Sequence, residues 1–374
     1  MSNLNILIWA GWYPNRYQNQ AIFIQKHIQI IGKTHHVKVF HITHKHQSPK
    51  WFSIENDISN EIETTFYYIP SFFLIKQLFY FLIPFFEAYK MKKIDVFHLH
   101  VSYPYVFFTY LLDFFKIGKY VISDHWSGFT NASGKFDRLN IFQKKVFRKR
   151  LLRFQKISLV SMFLKNEFYN KTRHPNLWVI PNVIELNPNY LKTDYSFQTF
   201  KFISVSNLVD EVKNISFLIR VFDKVLEKYP NFTLDIYGEG EDRNILEKQA
   251  AELGLLDKSI FFKGYIENAK LQSIYKMYNA FILLSNFETF SIVTFEAIYN
   301  GLPVIVTKCG GVEAFVNAEN GILVSIQNEE VTINSIFKMY ENYEVYSRNN
   351  LRNTLKVEDF TEEKISTLFN EFYQ

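Results

Sequence analysis

The sequence predicts an α/β protein made of two Rossmann-like domains, each built on a parallel sheet. Three observations carry this reading. The chain has 374 residues, too many for one ordinary hydrophobic core and suited to two. Strand-like and helix-like runs alternate from the N-terminus, halt at Glu185–Thr199, a stretch of linker composition, and resume at Lys201. Hydrophobic residues make up 48% of the chain and charged residues 21%, so both halves have enough apolar content to bury a core.

Taken in order, Asn5–Ala10 (NILIWA) reads as a buried strand, with a turn at Gly11-Trp12-Tyr13-Pro14 and a polar loop to Gln20. A helix over Ala21–Lys33 and a strand over Val37–Thr43 follow. The most apolar region, Phe66–Lys93, reads either as a core-facing helix or as an interfacial helix dipping into a bilayer, with Lys90, Lys92 and Lys93 at its edge. Ile94–His100 is a strand, a helix is expected from Pro104, and Tyr120–Asp124 is the next strand. Lys144–Arg153 carries six cations in ten residues on a helix: a solvated basic face, or a surface for anionic headgroups. Ser158–Met162 and Leu177–Val183 complete the first set of strands.

The second half repeats the alternation. Its strands are expected at Lys201–Val205, Thr233–Tyr237, Ser259–Gly264, Ala280–Ser285, Pro303–Lys308 and Asn320–Ile326, with helices at Asn214–Lys228, Glu241–Leu253 and from near Thr289 to Asn300. Gly301 and Pro303 are an ordinary helix stop. The last helix, Thr361–Tyr373, is amphipathic. The expected domains are 1–186, 187–356 and a terminal helix in 357–374.

Composition excludes several classes. The net charge of +5 is too mild to argue for nucleic acid, and none is expected as a partner. The single cysteine, Cys309, precludes an internal disulfide and fits a reducing compartment. The start, MSNLNILIWAGWYP, reads as a first strand rather than a signal peptide, and no run of about 20 apolar residues predicts a membrane span. His98 and His100 alternate on a strand, but no third ligand has suitable spacing, so no metal is expected.

The chemistry concentrates between Asn286 and Gly311, NFETFSIVTFEAIYNGLPVIVTKCGG. Glu288 lies in the loop after a strand and Glu296 eight residues on, in the helix. The amides of Phe290, Ser291 and Ile292, at the expected helix start, suit a phosphate, and Glu296 suits a ribose. His125 ends a strand, where ligands of such sheets collect.

Glu-x7-Glu followed by an apolar helix, Asn-Gly-Leu-Pro-Val-Ile and Gly-Gly resembles the donor-site signature of the family 4 retaining glycosyltransferases, which share the two-domain GT-B fold. Further likenesses are Gly11 with Trp12-Tyr13-Pro14, the loop Asp124-His125-Trp126-Ser127-Gly128, Val179–Val183, and Ile236-Tyr237-Gly238-Glu239-Gly240. The resemblance spans nearly the whole chain and is stronger in the second half.

It implies a cleft between two domains, the first binding acceptor and the second a nucleotide-sugar, and a C-terminal helix crossing back to the first. It implies retaining transfer of a hexosyl group from a UDP- or GDP-linked sugar to a saccharide or lipid-linked saccharide, without cofactor or metal, in surface-polysaccharide assembly. Phe66–Lys93 and Lys144–Arg153, an apolar and a basic region both in the first half, favour peripheral contact with an anionic membrane, and the expected setting is cytoplasmic. His125, Glu288 and Lys213 are the implied catalytic residues. Asn207, Lys213, Gly238, Ile266, Glu288, Phe290, Ser291, Ile292 and Glu296 are implied to bind donor, and Gly11, Trp12 and Trp126 to line the acceptor side. One departure stands out: Asn207 occupies the place where the family carries arginine. A catalytically degenerate scaffold, favoured by Asn207, and a nucleotide-sugar epimerase, disfavoured by Glu-x7-Glu, are the alternatives.

Overall fold

A computed structural model describes residues 3–15, 21–44, 51–59, 62–186, 199–346 and 348–374. The polar loop before Ala21 and most of the Glu185–Thr199 linker lie outside the described residues. The chain divides into two compact units, Met1–Val183 with Glu358–Gln374, and Ile184–Val357.

Unit 1 runs β1 (Asn5–Ala10), α1 (Ile22–Gly32), β2 (His36–His44), β3 (Ser53–Ser59), β4 (Ile62–Ile69), α2 (Phe73–Lys90), β5 (Ile94–His100), β6 (Ile117–Asp124), α3 (Ile141–Leu151), β7 (Lys156–Leu159), α4 (Met162–Thr172) and β8 (Leu177–Val179). Its sheet has the order β3-β4-β2-β1-β5-β6-β7-β8. All these pairs are parallel except β3 with β4. The order reverses between β1 and β5, so the loops after these two strands open a crevice at the carboxyl edge.

Unit 2 runs β9 (Lys201–Val205), α5 (Asp210–Lys213), α6 (Ile215–Lys228), β10 (Thr233–Tyr237), α7 (Arg243–Glu252), β11 (Ile260–Gly264), α8 (Asn268–Ile274), β12 (Ala280–Leu283), α9 (Ile292–Tyr299), β13 (Val304–Thr307), β14 (Gly321–Val324), α10 (Glu329–Glu341) and α11 (Arg348–Asn353). The sheet order is β11-β10-β9-β12-β13-β14, all parallel. Relative to the first strand this is 3-2-1-4-5-6, the dinucleotide-fold order, with its switch point between β9 and β12. The core beneath it is aromatic: Phe200, Phe202, Phe222 and Phe232 are fully buried against Ile215, Leu218 and Ile219, which α6 presents at helical spacing.

The final helix, α12 (Glu362–Tyr373), belongs to unit 1 and packs on α1. Ile365, Phe369 and Phe372 are its buried face, and Tyr373 Oη hydrogen-bonds His98 Nδ1 at 2.7 Å.

Several sequence expectations need correction. The apolar region Phe66–Lys93 is two elements, the end of β4 and then α2, because Pro70 and the residues after it break one run of apolar character into two. The residues after Pro104 form two short 3-10 turns, Tyr105–Phe108 and Tyr110–Phe114, rather than an α-helix. Strands expected at Ser158–Met162 and Leu177–Val183 are shorter, since Met162 already opens α4 behind the cap Ser161, whose side chain accepts from Leu164 N. The helix expected from near Thr289 opens at Ile292, because Ser291 takes a left-handed conformation at φ 72° that no helix continues through. Lys213, expected near the start of a long helix, instead ends the four-residue α5, and Asn214 at φ 53° turns the chain into α6.

Candidate functional site

In unit 2 the predicted residues gather at the switch point. β9 leads to Ser206-Asn207 and α5; β12 leads to the loop Leu284–Ser291 and α9. The two exits are sewn together by backbone: Asn286 N donates to Val212 O at 2.9 Å, and Asn286 Nδ2 to Glu211 O at 3.0 Å. Asn214 Nδ2 donates to Leu284 O at 3.2 Å, which explains why the tolerant asparagine occupies that left-handed position.

This stitching brings Lys213 Nζ to 2.6 Å from Glu288 Oε1. Both side chains are largely buried, and Ser285 Oγ donates to the same carboxylate oxygen at 2.8 Å. The Glu288 backbone is clamped too: its N–H donates to Cys309 O at 3.0 Å, and its C=O accepts from Gly311 N at 2.9 Å. Gly311 has no room for a side chain, since a Cβ would lie 2.3 Å from Thr289 O. The Glu288 loop is therefore fixed on both sides by the β13 exit. Burial pushes the Cys309 thiol up to about 12, with the Glu288 charge adding to it, which leaves it inert as a nucleophile.

Glu296 is buried on α9 and accepts from Asn268 Nδ2 at 2.7 Å. Gln272 donates to Asn268 Oδ1 at 3.1 Å and also to Glu185 O. Neighbouring Tyr275 is buried, and burial together with the Glu296 charge holds its phenol well above the usual range. Ser291 Oγ and Thr294 Oγ1 hydrogen-bond each other at 2.8 Å, so the Ser291 side chain turns into the helix rather than away from it. The first-turn amides of α9 have no acceptor within their own helix.

Gly238 lies beside this group at the end of β10 with φ 139°. A Cβ there would stand 1.7 Å from Ser206 O, so the β9 and β10 exits run closer than any side chain permits. Asn207 is exposed, and its loop is held by Leu208 N donating to Glu239 O at 2.9 Å. Ile266, half-buried, follows the exposed Tyr265 after β11.

Unit 1 holds the remaining predicted residues. His125 follows β6 and is buried, its ring stacked on His100 (centroids 5.8 Å, 14° between planes) and covered by Phe23 at 4.9 Å. His27 joins at 5.6 Å from His125 and His98 at 4.3 Å from His100. Burial, then the neighbouring rings, holds His125 and His100 well below the ordinary imidazole value, so all four rings are neutral at pH 7. Among the described residues no group of three or more such side chains is arranged to hold a metal ion. Neither ring nitrogen of His125 or His100 has a hydrogen-bond partner among the described residues.

The loops after β5 and β6 are tied by Asp124, whose carboxylate accepts from Ser102 N at 3.1 Å and Trp126 N at 2.9 Å; burial raises its pKa. Trp126 stacks on Tyr103 at 4.6 Å. Gly11 is buried: its N–H donates to His100 O at 3.0 Å, its C=O accepts from Tyr105 Oη at 2.8 Å, and a Cβ would meet the Tyr105 ring at 2.5 Å. The space its missing side chain leaves is thus filled by the protein itself. Trp12, next to it, is half-buried.

Sequence reasoning missed Asn268, Ser285 and Tyr275, the partners that set the two glutamates. Asn268 lies 28 positions from Glu296 in sequence, and only the fold joins them. It also missed Val101, a β-branched residue at φ 71° directly after β5, an unusual conformation of the kind that gathers at functional loops.

The architecture is GT-B: two α/β domains with parallel sheets. It is similar over nearly its whole length to sucrose-phosphate synthase of Thermosynechococcus elongatus, with a TM-score of 0.77, 17% identity, and coverage of 99% of this chain and 98% of that one. Anabaena HepE, solved in complex with UDP and glucose, gives a TM-score of 0.75 at 17% identity, covering 99% of both chains.

Residues 196–356 match the family model of the glycosyl transferases group 1. An uncharacterised glycosyltransferase of Methanocaldococcus jannaschii is 36% identical over 119 residues, 32% of this chain and 30% of that protein. The chain spans about half or less of the length of the curated relatives it matches.

Proposed function

We propose that this chain is a retaining glycosyltransferase that moves a hexosyl group from a nucleotide-sugar to a saccharide or lipid-linked saccharide in cell-surface polysaccharide synthesis. One observation carries the reading: Lys213 pairs with Glu288 at the carboxyl edge of β9 and β12, just before α9, which carries Glu296, and all three lie inside the segment that matches the group 1 glycosyl transferases. HepE, with the same fold, binds UDP, which makes a uridine diphosphate donor the first choice.

In this reading the bond from the sugar's anomeric carbon to the diphosphate breaks, and one forms to an acceptor oxygen on the same face. The acceptor's proton passes to the departing diphosphate. The leaving diphosphate takes the electron pair, and its growing negative charge is the main thing to stabilise. Lys213 uses one of three N–H donors on Glu288 and keeps two for phosphate oxygens. The amides of Phe290, Ser291 and Ile292 add dipoles at the start of α9. These groups take the role that a metal ion plays elsewhere. Asn207 brings a neutral amide where the resemblance expects a cation, so Lys213 supplies the positive charge.

Glu296, steadied by Asn268, holds the ribose hydroxyls. Gly238 and Ile266 flank the nucleotide. On unit 2 Glu288 is assigned to the transferred sugar, and on unit 1 His125 is assigned to the sugar and Trp12 and Trp126 to the acceptor; Gly11, whose open side Tyr105 fills, shapes the turn that carries Trp12. Glu288 and Glu296 are not a hydrolase's acid and nucleophile, because each carboxylate is engaged by its own partner, Lys213 with Ser285 or Asn268.

The test is a thermal-shift series with UDP, GDP, ADP, CMP and dTDP on the native chain and on Glu296→Ala. At a hundred times its dissociation constant, the correct nucleotide stabilises the protein by about 2.7 kcal/mol. The shift should appear with one nucleotide and vanish in Glu296→Ala, each variant compared with its own ligand-free melt. No shift with any nucleotide moves the assignment to a degenerate scaffold.

A further inference from the structure

α2 is apolar nearly all round. Its inward face, Tyr80, Ile83, Pro84 and Ala88, is buried. On the opposite side Leu74, Leu78, Phe86 and Tyr89 are exposed, Leu74 by 79% and Tyr89 by 74%. Lys76, Glu87 and Lys90 fall more than about a quarter turn from the centre of that stripe, and Glu87 is buried against Lys90. An outward helix face without charge lacks the polar side that a solvated helix carries.

α3 supplies what α2 lacks. Ile141 and Phe142 are 86% and 74% exposed in its first turn, and Leu152 is 67% exposed just past its end. At helical spacing these three share one outward stripe with Lys145, Arg148 and Lys149, all exposed, and α3 contains no acidic residue. Of the acids near it, Asp113 is held by Arg150 and Arg153, and Asp137 by Lys171.

The two helices pack against the same pair of turns. Phe81 of α2 meets Phe108 at 5.0 Å, and Phe147 of α3 meets Phe107 at 5.8 Å, both on the 3-10 turn Tyr105–Phe108. The second turn exposes Phe114 by 80% and stacks Tyr110 under the Arg150 guanidinium at 4.5 Å.

We propose that this face, α2, the Tyr110–Phe114 turn and α3, docks on an anionic phospholipid bilayer, with the two helices lying in the interfacial plane. The charge pattern selects this occupant. Cations set among large apolar side chains match a headgroup layer over acyl chains, whereas a protein interface core is depleted of lysine. No helix among the described residues is long and apolar enough to cross a membrane.

The test is co-sedimentation of the full chain with phosphatidylcholine vesicles, with and without phosphatidylglycerol. Binding should need the anionic lipid and fall with added salt. Each lysine near such a surface is worth about fivefold in partitioning, so Lys145→Glu with Lys149→Glu should lower it about twentyfold or more. Leu78→Ser with Tyr89→Ser should weaken it without changing its salt dependence. Both pairs are surface positions, and circular dichroism checks that they fold.

Equal binding to neutral vesicles, or binding unmoved by either pair, overturns the proposal. So does a concentration-dependent dimer in sedimentation velocity that Leu78→Ser with Tyr89→Ser dissolves, which would assign the face to a second copy. Vesicle binding is read without any nucleotide or sugar, so its failure leaves the proposed transfer reaction standing.

Discussion

Lys213 and Glu288 hold each other where both are largely removed from water. Taking one away leaves the other's charge desolvated, which costs more than the pair contributes. Lys213→Met should therefore destabilise unit 2 by about 2–4 kcal/mol, and Glu288→Gln by less, because the amide still accepts from Ser285. The double variant should be more stable than the sum of the singles implies, by about 1 kcal/mol or more. A calorimetric double-mutant cycle reads this; additive effects would mean the pair is not coupled. The glutamates themselves were legible in the sequence, because eight-residue spacing before an apolar helix is local. Their pairing was not: Lys213 was named only through the family resemblance, it lies 75 positions from Glu288, and no local pattern announces which lysine a parallel sheet will bring beside which carboxylate.

At the scale of elements, the loops after β9, β10 and β12 are shaped by backbone approach as much as by side chains. Gly238 and Gly254 both have positive φ, 139° and 70°. An added Cβ at Gly254 meets nothing within 4 Å, while at Gly238 it would strike Ser206 O at 1.7 Å. Gly254→Ala should cost about 1 kcal/mol, the left-handed penalty alone. Gly238→Ala should cost several times that and weaken nucleotide binding, since the β9 exit must move. Similar losses in calorimetry for the two variants would refute the close approach. The same physics explains where sequence reading of elements worked and where it stopped. Gly301 and Pro303 mark the end of α9 by residue type, and the helix does end at Tyr299. Its start depends on Ser291 adopting φ 72°, a choice imposed by the surrounding loop and invisible in a serine. The β3–β4 hairpin was hidden for a related reason: the end of β4, Phe66 to Ile69, is buried on both faces, so its apolar run merges with that of α2.

Across the whole molecule, the two units differ in how they meet acid. His27, His98, His100 and His125 are buried together in unit 1, where His27 is hydrogen-bonded to Pro181 O and His98 to Tyr373 Oη and Ser123 Oγ. Burial holds His27 down to about 4 and His98 down to about 3, with His100 and His125 also well below the ordinary value. Between roughly pH 6.5 and 4 the unfolded chain therefore binds protons that the folded unit refuses, and stability rises with pH across that window. It is fully present above pH 6.5 and is lost as the pH falls toward these depressed values. Each tenfold drop in an imidazole's proton affinity on folding is worth about 1.4 kcal/mol, so His27 alone removes about 3 kcal/mol by pH 4. Asp124, raised by burial, acts in the opposite sense but only where carboxylates begin to protonate. Unit 2 contains no histidine, so it has no counterpart to this loss. All five tryptophans, Trp9, Trp12, Trp51, Trp126 and Trp178, lie in unit 1, so their fluorescence follows that unit alone. Its urea midpoint should drop steeply from pH 7.5 to 5, and His100→Gln should flatten the dependence by removing one refused proton. A midpoint unchanged over that range would mean that the rings take up protons in the folded state, and the packing described for them would then be wrong.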